Sequence, residues 1–304
     1  LCKLYRVTNE PLYLDMAKKF LEIRGVTYRP EGEGVMAATY AQQHAPVSQQ
    51  TEAVGHAVRA AYLYTAMAQV DALTGLHDYD KALQAIWSNL VTTRMHITGG
   101  LGAVEGMEGF GAPYELPNLT AYNETCAAVA NVFFNQGLFL GSGDAKFWDI
   151  AELSLFNNAL AGINLKGDRF FYVNPLEADG ERRFNHGNGG RAGCACCPPN
   201  ISRLILQVPG YMYAYSTDNI YLTLYGGSRT TIPLKGGKVA LEQESGYPFD
   251  GKVRLIVTPE KKEHFSISMR IPTWATKDEF VPGGLYPYKE QRHLSVEIRV
   301  NGEK

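Results

Sequence analysis

The chain has 304 residues, 45% of them hydrophobic, which is ample for one large core or two domains and excludes a disordered polymer. Its formal charge is -2, from 29 Lys+Arg against 31 Asp+Glu scattered along the chain, so the basic footprint of a nucleic-acid binder is missing. No apolar run reaches the roughly 18 residues that span a bilayer, and a soluble protein with a neutral ligand, binding neither nucleic acid nor membrane, is the expectation.

In chain order, Asn9 with Pro11 and then Gly25 mark the start and end of the first clear helix. Three related triplets follow the chain: Asp15-Met16-Ala17, Asp80-Lys81-Ala82 and Asp149-Ile150-Ala151. Each stands beside an aromatic residue, Tyr13, Tyr79 or Trp148, and each is expected to open an apolar-periodic helix. Further helical runs lie between them, from Thr51 to Leu73, closed by Thr74-Gly75, and from about Cys126 to Leu140. Helices of two kinds thus alternate at a spacing of roughly seventy residues, the pattern of a helical toroid.

Past Ala214 the pattern changes to short alternations, Ile220-Tyr221-Leu222-Thr223-Leu224, Val253 to Val257 and Phe265 to Met269, separated by Gly, Pro, Asp and Lys. That is the signature of a β-sandwich. Gly283 to Leu294 has no strong period and reads as a loop, and Val300-Asn301-Gly302-Glu303 reads as a hairpin turn. The expected division is a helical domain over 1–214 and a sandwich over 215–304.

Four of the five cysteines fall in two motifs, Asn123-Glu124-Thr125-Cys126 and Cys194-Ala195-Cys196-Cys197-Pro198-Pro199-Asn200. Zinc takes four ligands from thiolate, imidazole and carboxylate, and Glu124, Cys126, Cys196 and Cys197 supply that number. Residues two apart do not share a helix face, so Glu124 and Cys126 converge only where an irregular turn precedes a helix. Pro198 is expected to push Cys197 toward an extended conformation, and Pro199 suits the first turn of another helix, whose N-terminus favours thiolate. Buried inert cysteines, a purely structural zinc and a redox pair are the competing readings, and Cys2 and Cys194 read as small buried hydrophobes. Clustered, odd-numbered cysteines suit a reducing, cytoplasmic compartment better than a disulfide framework.

The glycine-rich stretch from Gly99 to Gly111 must form a loop and carries Glu105 and Glu108. It fails the phosphate-loop spacing, while a carboxylate on such a loop can act as a general acid. A solvated surface carboxylate is the plain alternative.

These motifs, with His44-Ala45-Pro46-Val47, Gly99-Gly100 and Asn174-Pro175-Leu176, resemble the β-L-arabinofuranosidases of glycoside hydrolase family 127; the related family 146 shares the catalytic pattern. The resemblance implies a partial (α/α)6 barrel followed by an antiparallel β-sandwich, and retaining hydrolysis of β-L-arabinofuranosides in plant-type glycans. It implies Cys196 as nucleophile, Glu108 as acid/base, and zinc held by Glu124, Cys126, Cys196 and Cys197. His56, Glu152 and Tyr172 look like positions that contact the sugar of a glycoside or oligosaccharide substrate. Only about half of the expected helical hairpins are readable, so a longer parent chain with further N-terminal hairpins is expected. A catalytically inert carbohydrate-binding or structural remnant is the alternative. A sugar epimerase is the third reading, for which the sequence offers no convincing histidine pair.

Overall fold

One helical unit occurs twice in the computed structural model, which describes residues 1–181, 196–276, 279–290 and 294–304. In each copy a long helix, α3 (Ala57–Thr74) or α5 (Thr125–Ser142), is followed by a shorter one, α4 (Asp80–Asn89) or α6 (Ala145–Ser154). A single π turn, Leu90–Arg94 or Leu155–Ala159, then closes each copy. The long helices end at glycines in the left-handed region, Gly75 (φ 67) and Gly143 (φ 71), where the chain reverses. Helix α5 is apolar nearly all round and correspondingly buried nearly all round. It packs on α3 closely enough that a Cβ at Gly137 would sit 3.4 Å from the Cβ of Ala68. Two smaller helices, α1 (Cys2–Thr8) and α2 (Pro11–Ile23), precede this pair, and α7 (Cys197–Gln207) also packs on α5.

The repeated triplets keep their spacing but not their expected place. Only Asp80 begins its helix; Asp15 and Asp149 lie inside theirs. The starts are set instead by side-chain caps, with Glu10 accepting from the Leu12 amide and Asp144 from the Lys146 amide. Helix α3 also begins later than the apolar run suggests. Residues 51–55 are a loop, tied down by Arg94, which pairs with Glu52 at 3.0 Å, and by Asn89, which accepts from the Ala53 amide.

Among the described residues the second half forms two three-stranded sheets. In one, β1 (Tyr213–Tyr215) pairs antiparallel with β2 (Asn219–Leu222), and β2 pairs with β6 (Ser266–Met269). In the other, β3 (Ser228–Leu234), β4 (Gly237–Ser245) and β5 (Val253–Pro259) form an antiparallel meander. Alternate residues of β2, β3 and β4 point inward, so Ile220, Leu222, Ile232, Leu234, Val239 and Leu241 share one core between the sheets. One pairing departs from the antiparallel expectation: β2 and β6 run parallel, because the whole meander forms the crossover between them. A final short helix, α8 (Thr273–Thr276), follows β6. The predicted turn at Asn301-Gly302 is present, with φ of 54° and 90° and amide bonds in both directions between Val300 and Glu303. Among the described residues no helix is long and apolar enough to cross a membrane.

Candidate active site and metal centre

Three helix N-termini converge on one place. His56 precedes the first residue of α3, Glu124 precedes that of α5, and Cys196 precedes that of α7. The partial positive ends of three helices therefore face a common space, which favours the anionic form of acids and thiols there.

Glu124 is extended (φ -59, ψ 135), whereas Cys126 is already in the first turn of α5, and this change of backbone lets residues two apart converge. The segment after Phe171 fixes the arrangement. The Thr125 amide donates to the Tyr172 carbonyl at 2.9 Å, and Asn174 Nδ2 donates to the Asn123 carbonyl and Thr125 Oγ1, both at 3.0 Å. Tyr172 thereby reaches the cluster, its hydroxyl 3.5 Å from Cys196 Sγ. Gly100 has to be glycine, since a Cβ there would lie 2.8 Å from Asn123 Oδ1.

The four expected metal donors lie within 4.8 Å of one another. Cys196 Sγ and Cys197 Sγ are 3.7 Å apart, Cys126 Sγ and Cys197 Sγ 3.3 Å, and each sulfur of the 196–197 pair is 3.6 Å from Glu124 Oε1. Tetrahedral zinc, with bonds of about 2.3 Å to sulfur and 2.1 Å to oxygen, demands edges of about 3.8 Å between sulfurs and 3.6 Å from sulfur to oxygen. The cluster has nearly those dimensions, and its cysteines are free thiols. Glu124 Oε2 is buried with no hydrogen-bond partner. Burial, and then the negative Cys196 and Glu108 beside it, push the Glu124 carboxyl up to about 8. The neighbouring sulfurs of Cys126 and Cys196, then burial, push the Cys197 thiol up as well. Four acidic donors crowded in this way suit a divalent cation, whose charge would offset their repulsion. Of the four, Cys196 alone is exposed.

Glu108 stands beside the cluster on a tight hairpin. Val104 and Gly109 exchange two amide bonds of 3.1 Å, and the hairpin is clamped to the start of α3 by Ala57 N–H to the Glu108 carbonyl (3.0 Å) and Phe110 N–H to the Gly55 carbonyl (2.9 Å). The Glu108 backbone is left-handed (φ 50), a sparsely populated conformation for a side-chain-bearing residue that is often found at functional positions. Its Oε2 is 3.2 Å from His56 Nε2, and Tyr122 donates its hydroxyl to Oε1 at 2.7 Å. His56 is nearly buried, and burial holds its pKa below the usual imidazole value against the opposing pull of Glu108. His56, Glu108 and Glu124 form a second close group, sharing Glu124 with the first.

Glu152 is engaged elsewhere. Its carboxylate is buried at the junction of α6 with the sheets, paired with Arg270 and accepting from Tyr247 Oη at 2.6 Å and Trp274 Nε1 at 3.4 Å. Asp149, one turn earlier, pairs with the same Arg270 at 2.7 Å. Cys2 is buried in the main core, as expected, and Cys194 lies outside the described residues. Sequence reasoning missed Tyr122, which directly precedes the Asn123-Glu124 motif but carries no signal of its own, and Arg270, which is remote in sequence from both of its acids.

The family model for the catalytic domain of GH127 β-L-arabinofuranosidases matches residues 1–210, and that for the GH127 middle domain matches residues 219–304. The chain therefore belongs to the GH127 β-L-arabinofuranosidase family. It is 35% identical over 299 residues to a non-reducing end β-L-arabinofuranosidase of Bifidobacterium longum subsp. longum, an alignment covering 90% of this chain and 45% of that protein. Among solved structures it is similar to a GH127 β-arabinofuranosidase (TM-score 0.88, 44% identity), covering 99% of this chain and 47% of the other. It is also similar to a GH127 β-L-arabinofuranosidase from Geobacillus stearothermophilus T6 (TM-score 0.85, 39% identity), covering 90% and 46%. The chain thus spans under half the length of each of these relatives.

Proposed function

We propose that the protein is a zinc-dependent retaining glycosidase that removes β-L-arabinofuranosyl residues from plant-type glycans. Glu124, Cys126, Cys196 and Cys197 would hold the zinc, which when bound keeps sulfur ionised at neutral pH. Cys196 is the nucleophile in this reading. Its sulfur attacks the anomeric carbon while Glu108 gives its proton to the departing oxygen, so the C–O bond breaks as the S–C bond forms. Glu108, now a carboxylate, then takes a proton from water as the water oxygen attacks the same carbon, and the S–C bond breaks to return the Cys196 thiolate. His56 and Tyr172 line this space and are the sugar contacts we assign. Glu152, held by Arg270, would act by fixing the helices against the sheets.

The observation that carries the proposal is the single exposed sulfur in an otherwise buried donor set, with a carboxylate across from it. Four protein donors would fill a tetrahedral zinc and leave no open coordination position, so it is the exposure of the Cys196 sulfur itself, within reach of a substrate, that favours turnover over an inert remnant. By the same resemblance the helical units belong to an (α/α)6 barrel. A division near 214/215 accords with family matches that end at residue 210 and resume at residue 219. A reducing, cytoplasmic setting would keep the clustered thiols free. The test is metal analysis of the purified full natural chain together with hydrolysis of 4-nitrophenyl β-L-arabinofuranoside. Stoichiometric zinc and initial release of the β-anomer are expected, and a metal-free active enzyme or an inverted product would sink the reading.

A further inference from the structure

Glu108 is gripped at both carboxylate oxygens, and one of the two grips comes from a residue outside all of the motifs. Tyr122 donates to Oε1 at 2.7 Å while His56 Nε2 lies 3.2 Å from Oε2. The Tyr122 side chain is itself fixed. The residue is 2% exposed, and its ring stands edge-on to that of Tyr172 with centroids 6.0 Å apart. The Tyr172 hydroxyl in turn is 3.5 Å from Cys196 Sγ. Two interlocked rings therefore place one hydroxyl on the carboxyl group and the other beside the sulfur.

Such support matters because Glu108 sits on a hairpin tip in left-handed backbone, and contacts to its carboxyl restrict the side-chain torsions. A carboxyl group free to rotate would present its proton to the leaving oxygen only part of the time, and misplacement of about 1 Å can cost a hundredfold in rate. We propose that Tyr122 is a positioning residue that orients the Glu108 carboxyl for proton transfer. The inference rests on the reading of Glu108 as the acid/base.

Tyr122→Phe keeps the ring and removes the hydroxyl. In the full natural chain, kcat/KM on an alkyl β-L-arabinofuranoside, which reports the glycosylation step alone, should fall about ten- to a hundredfold, the scale of one hydrogen bond to a charged group. On the 4-nitrophenyl glycoside, whose leaving group needs little protonation, the fall in kcat/KM should be roughly threefold or less. Zinc content and thermal midpoint should match the parent. Equal loss on both glycosides, no loss on either, or loss that tracks metal content or melting would overturn the proposal. Glu108→Gln is measured in parallel. If it lacks leaving-group dependence, the acid/base reading has failed; if it shows that dependence and Tyr122→Phe does not, the positioning role alone has failed.

Discussion

Replacing Arg270 by Met should cost about 3–5 kcal/mol, because it strands two buried acids. The guanidinium side chain is 3% exposed and the Asp149 and Glu152 side chains 5% each. Its Nε also donates to the Thr223 carbonyl at 2.8 Å, so one residue ties α6 to the end of β2. Methionine replaces the aliphatic stem but no donor. Asp149 would keep its bonds from Thr273, and Glu152 those from Tyr247 and Trp274, which keeps the figure from going higher. A loss of about 4 kcal/mol is near three powers of ten in the folding equilibrium, against a total of roughly 5–15 kcal/mol for a domain. Urea unfolding measures it. Trp274 reports the junction, and Trp87 and Trp148, both buried in the helical core, report the rest. In the variant the Trp274 transition should come first. Arg270→Met with both acids changed to leucine should recover most of the loss. A change under about 1 kcal/mol at pH 7, or no recovery in the triple variant, would refute this electrostatic account.

Cys126→Ser, Cys197→Ser and Glu124→Gln should each lower zinc affinity at least about tenfold, read by competition with a chelating dye, and full occupancy in any of them would mean the donor set is misread. In the chelated protein the Glu124 carboxyl, up to about 8 when folded, is protonated at neutral pH; its stability contribution is present below the ordinary carboxyl range and is lost as pH rises through about 8, so the chelated form should weaken from pH 5 to 8 while the metal-loaded form does not. Cys196→Ser should abolish turnover on aryl and alkyl glycosides alike, and residual activity within about tenfold of the parent would exclude sulfur as the nucleophile. His96 is 1% exposed with an unpartnered Nε2, and burial lowers its pKa to about 4 from 6.5. The unfolded chain then binds the extra proton between those values, so about 3 kcal/mol of stability, present above pH 6.5, should be lost as pH falls to 4. His96→Phe should flatten that part of the urea-midpoint profile, and an unchanged slope would show that the imidazole is not the titrating group.

Much of the fold was legible because its signals are local. The glycines that end α3 and α5, the prolines that start α7, and the alternation in β2, β5 and β6 each act within a few residues. The start of α2 was legible in Asn9 and Pro11, whereas that of α6 was misplaced to the Asp149 triplet because the Asp144 cap starts the helix earlier. The parallel pairing of β2 with β6 was illegible for a different reason: strand direction depends on how far the chain travels between strands, and a period of two carries no such information. In the site, the donors were legible because thiols and carboxylates advertise themselves by type. Their partners were not. Nothing in a tyrosine's surroundings in sequence distinguishes Tyr122, whose hydroxyl meets Glu108, from one that only fills core, and Glu152 resembles a helix-surface acid until Arg270 arrives from 118 residues away.

The two α6 acids are expected to influence a site they do not touch. Helix α5 presents Glu124 and Cys126 at its N-terminus and packs along its length against α3 and α6. Buried on nearly every side, it can hold two metal donors to within tenths of an ångström only while those neighbours stay fixed. Arg270 fixes α6 against the sheets, Ser154 at the end of α6 bonds the Gly99 carbonyl at 3.0 Å, and Asn131 of α5 donates to both, at 2.8 Å to Ser154 Oγ and 3.1 Å to Gly99. Buried polar contacts thus tie one helix, α6, to the sheet junction through Asp149 and Glu152 and to the base of the glycine-rich loop that carries Glu108 through Ser154. Loosening the junction by Arg270→Met should therefore lower zinc affinity and turnover along with stability, measured at a urea-free temperature well below melting. Unchanged metal affinity in a variant destabilised by several kcal/mol would show that the sheet junction and the metal site are energetically independent.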